Sequence, residues 1–276
     1  MSDTHIQLHG GLAGDLHGDP DDPRPPLVLL HGLTSDRRLW GPLFAELPAG
    51  RRVLALDLPG HGGSPRSASY TPEAVAALLH RAVMATGLDR PVLAGHSLGG
   101  LLATVYAAAH PVRGVVNIDQ PLLPGPFGEL LRGNEALLRG PDYLRLWDRL
   151  NAGMGIDTLP PAAQHLVRDV TTPRQDLLLG YWHDILTRSE DEIRERREQD
   201  LAALHTRGVP YRHVSAGEVP EPYRAWLRSV LPGAVFTVLP SAGHFPHLSH
   251  PRELAALIGE RSADSAGSAG SEGSEG

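Results

Sequence analysis

The chain contains no cysteine. Disulfides, thiolate metal sites and a thiol nucleophile are thereby excluded. It has no run of eighteen apolar residues, so no transmembrane helix is expected. The opening Met1-Ser2-Asp3-Thr4-His5 has neither a basic stretch nor an apolar one, so no signal peptide is expected, and the chain is placed in the cytoplasm. Basic residues are not in excess: Lys and Arg number 25 against 32 Asp and Glu, a formal charge of −7. That balance argues against nucleic acid or an anionic membrane as partner and leaves a small-molecule substrate. No motif calls for a cofactor or a metal. Aromatic residues are scarce at 5%, which gives weight to any that cluster.

What remains is a globular composition, 41% hydrophobic and 21% charged over 276 residues. This length suits one large domain with an insertion, or two small ones. Short apolar runs recur at Leu27–Leu30, Val53–Leu58, Pro91–Ala94, Gly114–Asp119, Val209–Gly217 and Ala234–Leu239. Helical patterns lie between them, at Arg38–Leu47, from Pro72 to about Ala85 behind a Thr71 cap, after Ser97, at Tyr223–Val230 and at Arg252–Gly259. Continuous apolar strands alternating with helices predict a mostly parallel sheet with helices on both faces.

The rhythm stops at Pro121 and resumes near Val209. Between them Leu, Arg and Trp recur at helical spacing with no clear strand, which predicts a helical insertion after a strand end, where such sheets hold ligands. Asp191–Asp200 reads as a solvated helix face with Glu192–Arg196 and Arg194–Glu198 as supporting pairs. The expected divisions are 1–120 and 208–261 for the core, 121–207 for the insertion, and 262–276 for a low-complexity tail that reads as disordered.

The sharpest feature is Gly95-His96-Ser97-Leu98-Gly99, between an apolar strand and a helix. A lone match to G-x-S-x-G is most often an ordinary turn. In a strand–turn–helix setting it holds a serine on a strained corner with its hydroxyl clear of the sheet. Together with His31-Gly32, Asp57-Leu58-Pro59-Gly60-His61-Gly62 and Gly243-His244, in that order, the chain resembles the α/β-hydrolase family, of the kind with a helical cap. The resemblance covers about residues 5 to 260. It implies an α/β-hydrolase sheet, Ser97 as nucleophile and backbone N–H groups of Leu33 and Leu98 as an oxyanion hole.

His244, in the small-residue loop after the last strand, is the candidate base, because an alcohol needs an adjacent imidazole to take its proton. Of the 15 histidines, His61, His96, His247 and His250 read as structural or surface residues. The acid has three candidates. The family's usual Asp after the strand ending at Gly217 is missing; Glu218 and Glu221 stand there instead. Asp119 ends the strand after the nucleophile helix, where haloalkane dehalogenases of the same fold carry their acid. Trp147, Tyr181 and Trp182, with Tyr143 and His183, are candidate pocket walls in the insertion. The expected activity is hydrolysis of a small ester, lactone or thioester through an acyl-enzyme. Carbon–carbon bond hydrolysis by the same triad is the alternative, and a non-catalytic binder is the reading from another class.

Overall fold

A computed structural model of the chain describes residues 4–240 and 243–267. The core strands are β1 (Thr4–Gln7), β2 (Ala13–His17), β3 (Leu27–Leu30), β4 (Val53–Leu56), β5 (Val92–His96), β6 (Gly114–Ile118), β7 (Tyr211–Ser215) and β8 (Val235–Val238). They form one sheet in the order β1-β2-β4-β3-β5-β6-β7-β8. Pairing is antiparallel through β1, β2 and β4 and parallel from β4 to β8. The central strands β3 to β6 are buried along their whole length. Burial on both faces is why their sequences run apolar without alternation.

Period two reappears in what each residue packs against. Val28, Leu30, Leu54, Leu56 and Leu93 face one cluster, shared with α2 (Pro72–Ala85) and α3 (Leu98–Ala109). Leu27, Leu29, Val53, Ala55 and Ala94 face the other. That second cluster takes in α1 (Gly41–Glu46) and the final helix. The expected helix at Arg38–Leu47 is divided: a 3-10 turn at Arg37–Trp40, capped by Asp36, precedes α1, with Pro42 in the first turn. Thr71 caps α2 by accepting from the Ala74 N–H, and Pro72 follows it.

The insertion is wholly helical among its described elements: α4 (Gly125–Gly133), α5 (Glu135–Arg139), α6 (Tyr143–Ala152), α7 (Pro161–Val170), α8 (Gln175–Tyr181), α9 (His183–Thr187) and α10 (Glu190–Thr206). The long α10 lies on α3 and buries Ile193, Leu201 and Leu204 in the core cluster and beside it. It therefore belongs to the helical layer on the sheet, and its charges are spent differently from expectation. Among the described residues the Glu192–Arg196 and Arg194–Glu198 pairs do not form. Arg196 and the buried Arg197 reach Glu73 on α2, Arg197 also reaches Asp200, and Glu198 accepts from the Trp226 indole. Then come α11 (Glu221–Val230), α12 (Pro246–Ser249) and α13 (Pro251–Gly267). The last helix thus runs into the segment expected to be disordered, and 268–276 lie outside the described residues.

The register sets the site. Leu30 pairs with Gly95, and His96 with Ile118, so β3, β5 and β6 end together on one edge of the sheet. There α3 packs so closely that a Cβ on Gly99 would lie 2.1 Å from the Leu30 carbonyl oxygen, and one on Gly95 2.0 Å from the Gly99 carbonyl oxygen. Both obstacles are backbone and cannot swing aside. Gly99→Ala is expected to cost about 3 kcal/mol or more, or to prevent accumulation of folded protein. Thermal and urea denaturation check this; a melting temperature within a few degrees of wild type would contradict it.

Candidate active site

Three short loops follow the aligned strand ends, and each carries a backbone that side chains disfavour. Among the described residues four non-glycines have left-handed φ: Thr34 (69°), Arg90 (42°), Ser97 (52°) and Asp119 (56°). All but Arg90 belong to these loops. Strain of this kind costs on the order of 1–3 kcal/mol per residue and persists only where the surroundings over-determine it.

At Ser97 the surroundings are backbone hydrogen bonds. Its N–H donates to the Ile118 carbonyl at 2.9 Å, and its carbonyl accepts from the Gly100 N–H at 2.7 Å. The serine is thereby set at the start of α3, beside the loop after β3. That loop is close: a Cβ on Gly32 would stand 3.2 Å from Ser97 Cβ. Leu33 and Leu98 flank the serine, and neither backbone N–H has a protein acceptor among the described residues.

Two buried histidines brace the Leu33 loop. His31 Nδ1 donates to the Gly32 carbonyl at 2.7 Å, and its Nε2 accepts from the Leu58 N–H at 3.0 Å. His61 Nδ1 donates to the Pro59 carbonyl at 3.1 Å, and its Nε2 accepts from the Thr34 N–H at 3.1 Å. A neutral imidazole has one donor and one acceptor, and both rings use the two. Asp57 ties the surrounding turn by accepting from the Arg37 and Gly63 N–H groups, each at 2.8 Å, and by pairing with the Arg37 guanidinium.

The three candidate carboxylates differ in what they meet. Asp119 Oδ2 accepts from His244 Nδ1 at 2.8 Å, and Asp119 Oδ1 accepts from the Ala216 N–H at 3.1 Å. Burial pushes the Asp119 carboxyl up, but the hydrogen bond and charge of His244 outweigh it, and the group sits below its ordinary value. Glu218 and Glu221, the other two candidates, are exposed and pair with Arg224 at 3.2 and 3.5 Å. Neither carboxylate is at His244, which corrects their candidacy; the two prolines of that segment lead it into α11 at the surface.

Beneath Asp119, the Asn117 amide holds the turn. Its Nδ2 donates to the Gln120 carbonyl at 2.8 Å and its Oδ1 accepts from the Gln120 N–H at 3.1 Å. A second bond from Nδ2 reaches the Tyr211 hydroxyl. Sequence reasoning missed Asn117, although a polar residue inside an apolar strand was a visible sign.

The aromatic candidates separate. Trp147 and Trp182 are buried with Leu131, Leu146 and Leu178 in a cap cluster against which Leu33 packs. They border the serine's surroundings through Leu33. Tyr181 instead joins cap to core, donating to the Pro59 carbonyl at 3.0 Å beside His61 and Tyr70. Tyr143 packs on the edge of the same cap cluster and its hydroxyl reaches the Pro173 carbonyl, whereas His183 is exposed. Among the described residues no group of three His, Asp or Glu is arranged to hold a metal ion, and no helix is long and apolar enough to cross a membrane.

The profile of the alpha/beta hydrolase family matches residues 27–257. The pimeloyl-[acyl-carrier protein] methyl ester esterase of Edwardsiella ictaluri is 30% identical over 85% of this chain and 92% of its own length. That of Yersinia enterocolitica is 29% identical over 91% and 96%. Among solved structures, the enol-lactonase from Burkholderia xenovorans LB400 superposes with a TM-score of 0.72 at 18% identity, covering 94% of this chain and 99% of that one. An AqdC variant that recognises and ring-cleaves the Pseudomonas quinolone signal gives 0.76 at 20% identity, covering 95% and 100%.

The buried imidazoles generate a pH prediction. Burial first, modified by neighbouring groups, lowers His31 and His213 to about 4, His61 and His247 to about 3, and His96 well below the ordinary 6.5. Above pH 6.5 these rings are neutral in both folded and unfolded chains, and stability is full. Below it the unfolded chain takes up protons that the folded one refuses, so stability falls until the folded values are reached. Each ring contributes up to about 1.4 kcal/mol per pH unit in that window. The urea midpoint should be level above pH 7 and fall steeply between pH 6.5 and 4; equal midpoints at pH 7 and 5 would contradict this.

Proposed function

From the fact that the chain belongs to the alpha/beta hydrolase family and is an esterase-type hydrolase, we propose that it cleaves a small carboxylic ester, lactone or thioester through an acyl-enzyme on Ser97. The observation that carries the catalytic assignment is the His244–Asp119 bond. A carboxylate only accepts, so His244 Nδ1 carries the proton and Nε2 presents its lone pair. In the proposed cycle the Ser97 hydroxyl attacks the ester carbonyl carbon while Nε2 takes its proton. The carbonyl oxygen becomes an oxyanion that accepts from the Leu33 and Leu98 N–H groups, helped by the positive end of α3. The tetrahedral centre collapses, the C–O bond breaks, and the alcohol leaves with the proton from His244. Water, deprotonated by the same Nε2, then attacks the acyl-serine and frees the acid and Ser97. Asp119 stays ionised throughout and stabilises the imidazolium.

The substrate reading follows the two relatives named as methyl ester esterases, which align over more than nine-tenths of their own length. We extend it to an ester of a small alcohol whose acyl part lies against the apolar cap cluster beside Leu33. The same reading takes a small molecule rather than nucleic acid or membrane as partner, in the cytoplasm, in keeping with the formal charge of −7 and the missing cysteine.

A panel of p-nitrophenyl and methyl esters with a fluorophosphonate probe tests it. Ser97→Ala and His244→Ala should each lower kcat by several powers of ten, on the order of 10⁶ where a triad acts as a unit, with loss of labelling in the serine variant. Asp119→Asn keeps shape but reverses the hydrogen-bond demand, and should cost about 10⁴ in kcat. Glu218→Gln and Glu221→Gln should stay within a few-fold. Near-native turnover by Asp119→Asn would remove the carboxylate from the mechanism, and persistence in Ser97→Ala would remove the acyl-enzyme.

A further inference from the structure

His244 is held by its backbone as well as by its ring. Its N–H donates to the Met154 carbonyl in the cap at 3.0 Å. Its carbonyl oxygen lies 2.6 Å from His96 Nε2, across 148 residues of sequence. A carbonyl only accepts, so His96 carries its proton on Nε2. The last strand, β8, ends at Val238, and Gly243 beside the base adopts φ 53° against the Met154 and Gly155 carbonyls.

His96 is an expensive residue to place there. It is 2% exposed, and its Nδ1 has no hydrogen-bond partner among the described residues. Leaving a buried acceptor unsatisfied costs on the order of 1–3 kcal/mol, which an aromatic hydrocarbon of similar size would avoid. Its ring packs against His247 at 4.3 Å, His244 at 4.8 Å and Phe245 at 5.2 Å between centroids. Packing alone therefore favours a phenylalanine. What a phenylalanine lacks is the N–H that meets the His244 carbonyl. Burial and the neighbouring histidines also keep the ring neutral, so it offers one fixed donor.

We propose that His96 is a positioning residue for the base: its Nε2–H fastens the His244 backbone to the residue next to Ser97, so that nucleophile and base share one frame. The proposal rests on the triad reading above. With both backbone polar groups of His244 tied, one to the nucleophile turn and one to the cap, the ring's remaining freedom is taken up by Asp119. Releasing the carbonyl lets the loop pivot about the Asp119 bond and moves Nε2 relative to the serine oxygen.

Steady-state hydrolysis of p-nitrophenyl acetate by the full-length protein tests this, with Ser97→Ala and His244→Ala as controls. His96→Phe should lower kcat about ten- to a hundredfold, the scale of a misplacement near 1 Å, with KM changed less than about threefold. His96→Gln, whose amide nitrogen can reach the same carbonyl, should recover most of the loss; His96→Asn, one methylene shorter, should not. If His96→Phe does not fold, the Gln and Asn variants decide the matter. Equal rates for those two, wild-type kcat in His96→Phe, or a loss carried by KM alone would overturn the proposal while leaving the triad intact. Turnover persisting in Ser97→Ala or His244→Ala would overturn the triad reading instead.

Discussion

The carbonyl oxygen of Leu30 occupies the space where a side chain at residue 99 would begin. That single backbone contact, between the end of β3 and the first turn of α3, fixes the corner on which the rest of the site depends. It brings α3 down onto the strand ends, forces Ser97 into a left-handed backbone, and sets the Gly32–Leu33 segment against the serine. Glycine at 95 and 99 is then required by crowding and not by conformation, since neither has a left-handed φ. The loss of side-chain packing at two positions is offset by a serine that has no freedom to leave its place.

Once the corner is set, the surrounding loops are held by polar groups with little choice of partner. His31, His61 and His96 each act as a neutral ring with a fixed tautomer, read from the carbonyl that each faces. A neutral imidazole is well suited to this use: it is rigid, it packs like an aromatic ring, and it still carries a donor. The rings differ from His244 in what lies opposite. They face backbone carbonyls, which do not favour a charged ring as a carboxylate does, and burial holds them neutral. His244 faces Asp119, and that carboxylate would stabilise the positive charge that a base must accept.

Much of this was legible in the sequence. Apolar runs of four or five residues gave the buried parallel strands, and the small-residue corners gave their ends. The edge strand β1 and its neighbour β2 escaped notice because they are short and β1 is mostly polar, with Ile6 the single apolar residue of Thr4–Gln7. The charge run on α10 was visible as a pattern, yet which face of the helix is buried was not. Its hydrophobic residues are few, and an arginine, Arg197, takes a core position by pairing with Glu73 and Asp200. Charge run and solvated face are the same pattern until the partner helix is known. Likewise, Tyr181 and Trp182 are neighbours in sequence that face different clusters, one seating the cap on the core and one packing in the cap beside Leu33.

The position of the acid could not be read from spacing, because both strand ends offered a carboxylate. What distinguishes them is support. At the end of β7 the chain passes through Glu218 and two prolines into α11, and its exposed carboxylates pair with Arg224. At the end of β6, Asn117 binds both polar groups of the Gln120 backbone, the Asp119 N–H donates to the Val214 carbonyl, and the Ala216 N–H steadies Oδ1. These contacts offset the strain of φ 56° at Asp119 and leave Oδ2 for the imidazole. The segment after β7 supplies the Ala216 N–H as a donor to the Asp119 carboxylate on the neighbouring strand. The parallel pairing permits this contact because β6 and β7 end at the same level, with Ile118 opposite Val214. A carboxylate held in this way needs a rigid turn beneath it, and Asn117, two residues earlier, provides that turn.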